Sequence, residues 1–199
     1  MRVCSSPLDW SFMSWISRIF RSTVGDAKDP ILKECLSIQQ SYGLVLDANE
    51  RNYVLLNRNK LTESPLRGLY VQKDIFHVVC LLTLFDSLCE AGVDHLAARR
   101  SVRAMDTLEK ASKLLPWPPV LYALMIAHET LGRMEPAAKL RETIEGGFDV
   151  RRKLLADIVP PSVPERENFI ATTAQRLDTS SSLLLGFSDI HELRRKIVE

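Results

Sequence analysis

Four histidines and four cysteines are the residues of this chain best suited to catalysis or metal binding. They are His77, His95, His128 and His191, and Cys4, Cys35, Cys80 and Cys89. None of the histidines belongs to an HExxH pair, and no two cysteines have the close spacing of a zinc site or a redox pair. The sequence therefore predicts no metal site and no cofactor.

Glycine patterns that bind phosphate or expose a nucleophile are also missing. The eight glycines are spread singly apart from Gly146-Gly147, which is followed by Phe-Asp-Val and not by lysine and a hydroxyl residue. No GxSxG sequence occurs. Because catalysis needs ionisable groups that converge, we expect a non-enzymatic protein. A polar pocket beside His95 or His128 would contradict that expectation.

Basic residues form three short clusters along the chain. These are Arg99, Arg100 and Arg103, then Arg151, Arg152 and Lys153, then Arg194, Arg195 and Lys196. Each cluster alternates with aliphatic residues at helical spacing, and 26 basic residues balance 25 acidic ones. We interpret the clusters as solvated helix faces and predict no nucleic-acid partner. A continuous stripe formed by all three would instead favour acidic or RNA partners.

The length and composition suit one helical domain with its own core. The chain has 199 residues, of which 46% are hydrophobic. We expect no segment of transmembrane length. Cys80 and Cys89 fall in an apolar helical run, where a free thiol behaves as a small hydrophobe. The cysteine pattern and the absence of an export signal favour a reducing, cytoplasmic location.

The stretch from Ile75 to Ile144 is expected to position the rest of the molecule. It has the pattern of two consecutive helical hairpins, in which an apolar helix is followed by a helix with alanines on one side. We expect the first helices to end at Gly92 and Gly132, because glycine supplies the left-handed conformation of a helix end. The second helix of the first hairpin is then expected to run from Asp94 to Leu115.

Residues of both hairpins carry a resemblance to a known family. Ala104, Leu108 and Ala111 recur at helical spacing before Pro116. The next hairpin has two large residues, a turn glycine and a small residue in Leu121, Leu124, Gly132 and Ala137. This pattern resembles a degenerate tetratricopeptide-type repeat over about residues 75–144. The resemblance implies an all-α fold, a superhelix of few repeats with flanking helices. The interval between the two turn glycines is 132 − 92 = 40 residues, against about 34 in the family.

The resemblance also implies a partner-binding groove formed by the first helix of each hairpin. Its exposed positions would be Val79, Leu82, Asp86, Pro119, Tyr122, Ile126 and Glu129. An apolar groove with one aromatic residue and a few carboxylates suits an amphipathic helix or an extended apolar peptide. The same residues could instead form the core between the helices. We expect an adaptor or small chaperone that binds another protein, with a homodimer as a further alternative.

Residues 1–25 form a separate amphipathic segment in the sequence. Trp15, Ile16, Ile19 and Phe20 share one helical face, with serines and arginines opposite. Three interpretations remain open: a helix packed on the protein, a weak membrane contact, and a mitochondrial transit segment. The last two would make the protein a peripheral membrane or organelle assembly factor. Met13 could also be the true start.

Local signals predict the helices of the domain at 29–159. Asp29-Pro30 has the order of a helix N-cap and first turn, and Gly43 marks the end of that helix. Asp47 and Glu50 have the spacing of a capping box. Residues 44–59 could form a helix or a strand hairpin, and we favour the helix.

The C-terminal part is expected to be helical as well. FDVRRKLLADIV predicts a helix that the prolines of 160–164 close, and Glu165 to Leu177 predicts another in a segment at 164–199. SSLLLGF is an apolar patch, and IHELRRKIVE predicts a last helix. This tail could cap the repeats or act as a linear binding segment, and we favour the cap.

Overall fold

The computed structural model describes residues 29–62, 73–145 and 150–179. All the secondary structure in these ranges is helical, which confirms the all-α prediction. The helices are α1 (Pro30–Ser41), α2 (Ala48–Thr62), α3 (Lys73–Ala97), α4 (Ser101–Leu114), α5 (Pro118–Thr130), α6 (Met134–Glu145), α7 (Val150–Ile158) and α8 (Arg166–Thr179). The segment at 1–25, Gly146-Gly147, the SSLLLGF patch and the last predicted helix lie outside the described residues.

The start and end of α1 follow the sequence signals. The Asp29 carboxylate accepts hydrogen bonds from the backbone N–H groups of Ile31, at 2.9 Å, and Leu32, at 3.2 Å. Pro30 begins the helix, where its missing N–H costs nothing. The chain leaves the helix through Gly43, whose φ of 61° is the left-handed conformation expected of a terminating glycine.

A reciprocal capping box begins α2 and decides between helix and hairpin. The Asp47 side chain accepts from the Glu50 N–H at 2.8 Å, and the Glu50 side chain accepts from the Asp47 N–H at 2.8 Å. These two bonds satisfy backbone donors that a helix start leaves unpaired. Residues 48–62 are accordingly helical, and the strand alternative is wrong.

The prediction that Gly92 ends the first helix is wrong. Helix α3 continues to Ala97, and α4 begins at Ser101, so the helix expected from Asp94 to Leu115 starts seven residues later (101 − 94). Gly92 has a packing role instead, because a Cβ added there would lie 2.6 Å from Cγ and Cδ2 of Leu108. The missing side chain thus permits a close approach of α3 and α4.

The turns of the two hairpins have the same construction. Arg99 has a φ of 58° and Gly132 a φ of 71°. The next N–H donates back across each turn, from Arg100 to the His95 carbonyl at 2.8 Å and from Arg133 to the His128 carbonyl at 2.9 Å. These are Schellman ends. The hairpins α3–α4 and α5–α6 therefore repeat after 132 − 99 = 33 residues, not after the 40 expected from the glycines.

Helix α3 also corrects the expectation about transmembrane length. Its residues Asp74–Ala97 form a stretch of 24 with a mean hydropathy of 1.6 over the most apolar window, which is long and apolar enough to cross a membrane. That window is 72% buried inside the protein. A central core helix has the same length and composition, because every side of it packs against neighbouring helices.

The core runs through the hairpins and continues into the C-terminal helices. Phe85, Leu88 and Trp117 are fully buried between α3, α4 and α5. Leu155 from α7 and Leu177 from α8 belong to the same hydrophobic cluster. The predicted helices before and after the 160–164 prolines are confirmed at Val150–Ile158 and Arg166–Thr179.

Candidate protein-binding surfaces

The residues predicted to line the groove differ in their exposure. Leu82 and Ile126 are core residues, with 5% and 1% of their surface exposed, so the expectation that they face solvent is wrong. They are buried because α3 and α5 pack against helices on several sides. Val79 and Tyr122 are partly buried against the core, and Pro119 is partly exposed.

The C-terminal helix of the same chain contacts the α3 part of the predicted groove at Asp86. The Arg176 guanidinium donates to the Asp86 carboxylate with 2.8 Å between Nη1 and Oδ2. The Ser162 hydroxyl, just before α8, donates to the carboxylate of Asp74. Asp74 and Asp86 are separated by roughly 18 Å along α3, from the rise of a helix. Helix α8 therefore runs beside α3 in the same direction.

Helix α8 has the amphipathic character that was predicted for a groove ligand. Ile170 and Leu177 are buried on one side, and Phe169 and Ala174 pack partly against the core. Arg176 supplies the charge opposite Asp86. Helix α8 thus combines a buried apolar side with one basic contact to α3.

The α5 part of the predicted groove is less covered. Pro119 and Tyr122 are one helical turn apart and both keep part of their surface in solvent. Glu129, at the other end of the helix, accepts from Arg141 of α6 with 2.8 Å between Nη2 and Oε1. This carboxylate is therefore used to join α5 to α6.

Glu50 forms a buried ionic cluster that the sequence pattern did not reveal. Its carboxylate is fully buried and accepts from Lys110 Nζ, at 2.9 and 3.0 Å, and from the Thr107 hydroxyl, at 2.8 Å. Burial alone would lower the pKa of Lys110, but the hydrogen bonds that Lys110 donates to Asp106 and Glu50 outweigh it and raise the pKa. The capping residue of α2 thereby also joins α2 to α4.

His95 and His128 occupy equivalent positions near the ends of α3 and α5. His95 Nε2 lies 3.4 Å from the Asn49 amide nitrogen, and His128 Nε2 lies 4.0 Å from a Glu109 oxygen. Burial lowers the pKa of His128, an effect that Glu109 partly opposes. In the part of the chain that the structure describes, no three His, Cys, Asp or Glu side chains could hold a metal ion.

Two cysteines far apart in sequence meet in the core. Cys35 of α1 donates through its thiol to the backbone carbonyl of Cys80 in α3, with 3.6 Å between Sγ and O. Both are buried free thiols. The pKa of the Cys80 thiol is raised far above its ordinary value. The hydrogen bond with Cys35 is the largest cause, and burial is the second. Their separation of 45 positions in the sequence explains why spacing rules did not find the pair.

An arginine surface lies at the end of the hairpins where α3 turns into α4. Arg99, Arg100 and Arg103 line a shallow depression with Ser101, Val102 and, from the neighbouring turn, Leu131. All three arginines are exposed. The side chains of Arg151 and Arg152 and the whole third basic cluster lie outside the described residues, and so does the alternative of a continuous stripe.

Comparison of the chain with protein-family models, with curated proteins and with solved structures finds no match.

Proposed function

We propose that the protein is a non-enzymatic interaction scaffold, an adaptor or small chaperone built from a few tetratricopeptide-like repeats. It binds an amphipathic helix or apolar segment of another protein on the face formed by α3 and α5. The observation that carries this proposal is α8 lying beside α3, with its apolar side buried and Arg176 on Asp86. The face receives a helix of the predicted chemistry from its own chain.

The repeat of the hairpins supports the same proposal. The 33-residue interval is close to the family's period of about 34. In the register that the helices define, Leu88, Gly92 and His95 stand where the family has its W-x₂-L-G-x₂-Y pattern. Ala104, Leu108 and Pro116 then follow in the order of the A-x₃-F and P positions. The small residue at Gly92 fits its contact with Leu108.

The energetics of such a site depend on apolar side chains. Each large apolar side chain that a partner buries contributes about 1.5 to 3 kcal/mol, before the costs of ordering and association. Pro119 and Tyr122, in the first turn of α5, are predicted groove residues that keep part of their surface in solvent.

Affinity purification from native cell extract tests the proposal with a matched pair of variants. Pro119→Asp with Tyr122→Asp puts two charges on the α5 face, while Ile126 is avoided because its burial would confound folding with binding. Leu36→Asp with Val45→Asp is the control, since both residues are exposed apolar positions outside the face. Circular dichroism must first show that both proteins are folded.

We expect a specific partner protein to be captured by the wild type and by the control. The α5 variant should not capture it. Loss by the Leu36 and Val45 variant alone would move recognition to α1 and contradict the proposal. A third variant, Asp86→Ala, decides between the two uses of the face. If a partner replaces α8, weakening the Arg176 contact increases binding, and if it packs beside α8, binding is unchanged.

A further inference from the structure

The first turn of α4 has a charge that opposes its own helix. The N-terminus of a helix carries a partial positive charge and favours acidic side chains. Acidic residues occupy the first turn of α2, α3, α6 and α8. In α4, as in α1, α5 and α7, there is none, and Arg100 at the N-cap makes no side-chain capping bond. Arg99, Arg100 and Arg103 instead concentrate positive charge there.

These three arginines also have no side-chain partner in the described part of the chain. None of them makes a side-chain hydrogen bond or ion pair with another described residue. Arg58, Arg141 and Arg176, by contrast, are each bound to a carboxylate of another segment. The arginine surface is therefore positive without any internal compensation in the described ranges.

The acidic side chains near this end are already engaged. Asp94, in the last turns of α3, accepts from the Tyr53 hydroxyl. Asp106 is paired with Lys110 at 2.7 Å, within α4. Glu135, at the start of α6, is paired with Lys139 at 2.8 Å. Rearrangement of these carboxylates toward the arginines would break contacts that stabilise the helices.

Apolar side chains lie within the same surface. Val102 is 62% exposed among the arginines, and Met134, after the neighbouring turn, is 66% exposed. Arg133 contacts the Met105 sulfur, with 3.2 Å between Nη1 and Sδ, which ties the second turn to α4. The depression between the turns has a volume of about 630 Å³, enough for several side chains.

We propose that the arginine surface, formed by Arg99, Arg100, Arg103, Val102 and Leu131, binds an acidic amphipathic segment of a partner protein. Carboxylates of the segment would pair with the guanidinium groups, which suit bidentate contacts. A large apolar side chain between those carboxylates would cover Val102. This site is at the turns of the hairpins and goes beyond the groove on α3 and α5.

The composition of the surface favours a protein segment over a nucleic acid. Single-stranded nucleic acids use aromatic side chains as stacking platforms. The residues that line the depression include none, and its exposed centre is the aliphatic Val102. A phosphate backbone would leave that apolar surface uncovered, whereas an acidic segment with leucines would bury it.

Direct binding of a synthetic probe tests the proposal on the full chain. The probe is a labelled peptide of repeated Glu-Glu-Leu, measured by fluorescence anisotropy at low and physiological salt. The test variant is Arg99→Ala with Arg103→Ala, and the control is Arg51→Ala with Lys113→Ala. The control removes the same charge from exposed positions that do not line the depression. Val102→Ser separately tests the apolar contact.

We expect saturable peptide binding by the wild type and the control. The affinity should fall at least about tenfold in the double arginine variant, and by less in Val102→Ser. Equal weakening in the test and control variants would show attraction by net charge alone and overturn the site. Poly-uridylate and phosphatidylserine vesicles are titrated in parallel. If either probe binds more tightly than the peptide, and this binding depends on Arg99 and Arg103, the proposal of a protein partner is overturned. A failed groove experiment would leave these outcomes unchanged.

Discussion

Arg99 occupies a backbone position for which glycine is the favoured residue. Its φ of 58° lies in the left-handed region, as does the φ of 71° of Gly132 at the corresponding turn. A side chain in this left-handed region costs roughly 1 to 2 kcal/mol. Selection for stability alone would place glycine at both turns. The arginine is therefore consistent with a binding role for the surface it belongs to.

Arg99→Gly is expected to raise the free energy of unfolding by about 0.5 to 1 kcal/mol, because relief of strain exceeds the entropy that glycine adds to the unfolded chain. Urea titration followed by circular dichroism measures the change. Arg100→Gly is the matched control: it removes the same charge at a φ of −96°, where glycine relieves no left-handed strain, and should stabilise the protein less than Arg99→Gly. Destabilisation by both variants would contradict the account of the turn.

Glu50 illustrates a residue whose second role is invisible in the sequence. Replacing it with alanine removes a fully buried carboxylate and leaves Lys110 and Thr107 without their shared partner. We expect Glu50→Ala to cost about 3 kcal/mol in the free energy of unfolding, as for a broken buried ion pair. Glu167→Ala, at an 85% exposed side chain, is the control and should change stability by less than about 0.5 kcal/mol. An equal, small effect of both would show that the cluster contributes little.

At the scale of the helices, Gly92 is the position that most constrains the first hairpin. Gly92→Ala places a Cβ 2.6 Å from Leu108, so either the leucine or the helix must shift. We expect a loss of about 1 to 3 kcal/mol in the free energy of unfolding. In a Leu108→Ala background the same substitution should cost much less, because the colliding atoms are gone. Equal costs in both backgrounds would mean that α3 and α4 do not approach closely there.

The helices that the sequence predicted well are those with local signals. Asp29-Pro30 and the Asp47–Glu50 box each act within a few residues, and the structure has both caps as expected. The helix end predicted at Gly92 was wrong because glycine can either end a helix or permit close packing. Only the position of Leu108 in the fold distinguishes the two roles. The turn at Arg99 carried no signal, since arginine there contradicts the usual preference.

The candidate surfaces depended on tertiary contacts and were predicted less well. Periodicity placed Val79 and Leu82 on one predicted groove, but it did not separate the buried Leu82 from the partly buried Val79. The pairing of Arg176 with Asp86 joins residues 90 apart. The Cys35 and Cys80 contact is similarly remote. No local pattern contains such information.

The molecule as a whole should lose stability on mild acidification through His128. Burial lowers the pKa of His128 below its unfolded value of about 6.5, so the folded state favours the neutral ring. Its contribution is fully present above that unfolded pKa and is lost as the pH falls through the folded pKa.

Thermal unfolding followed between pH 8 and pH 5 measures this contribution. The wild type should change little from pH 8 to pH 7 and lose melting temperature below about pH 6.5. His128→Gln should reduce the loss. Glu109→Gln should increase it, because Glu109 opposes the lowering of the histidine pKa. An identical pH profile in all three proteins would contradict a role for His128.

Hydrogen–deuterium exchange of the full chain, with and without the captured partner, is the most direct test of the interaction scaffold. The account predicts slower exchange on binding in α5 and along α8 beside α3, with α1 unchanged. Protection confined to α1 and α2, with α5 and α8 unaffected, would contradict the proposed binding face.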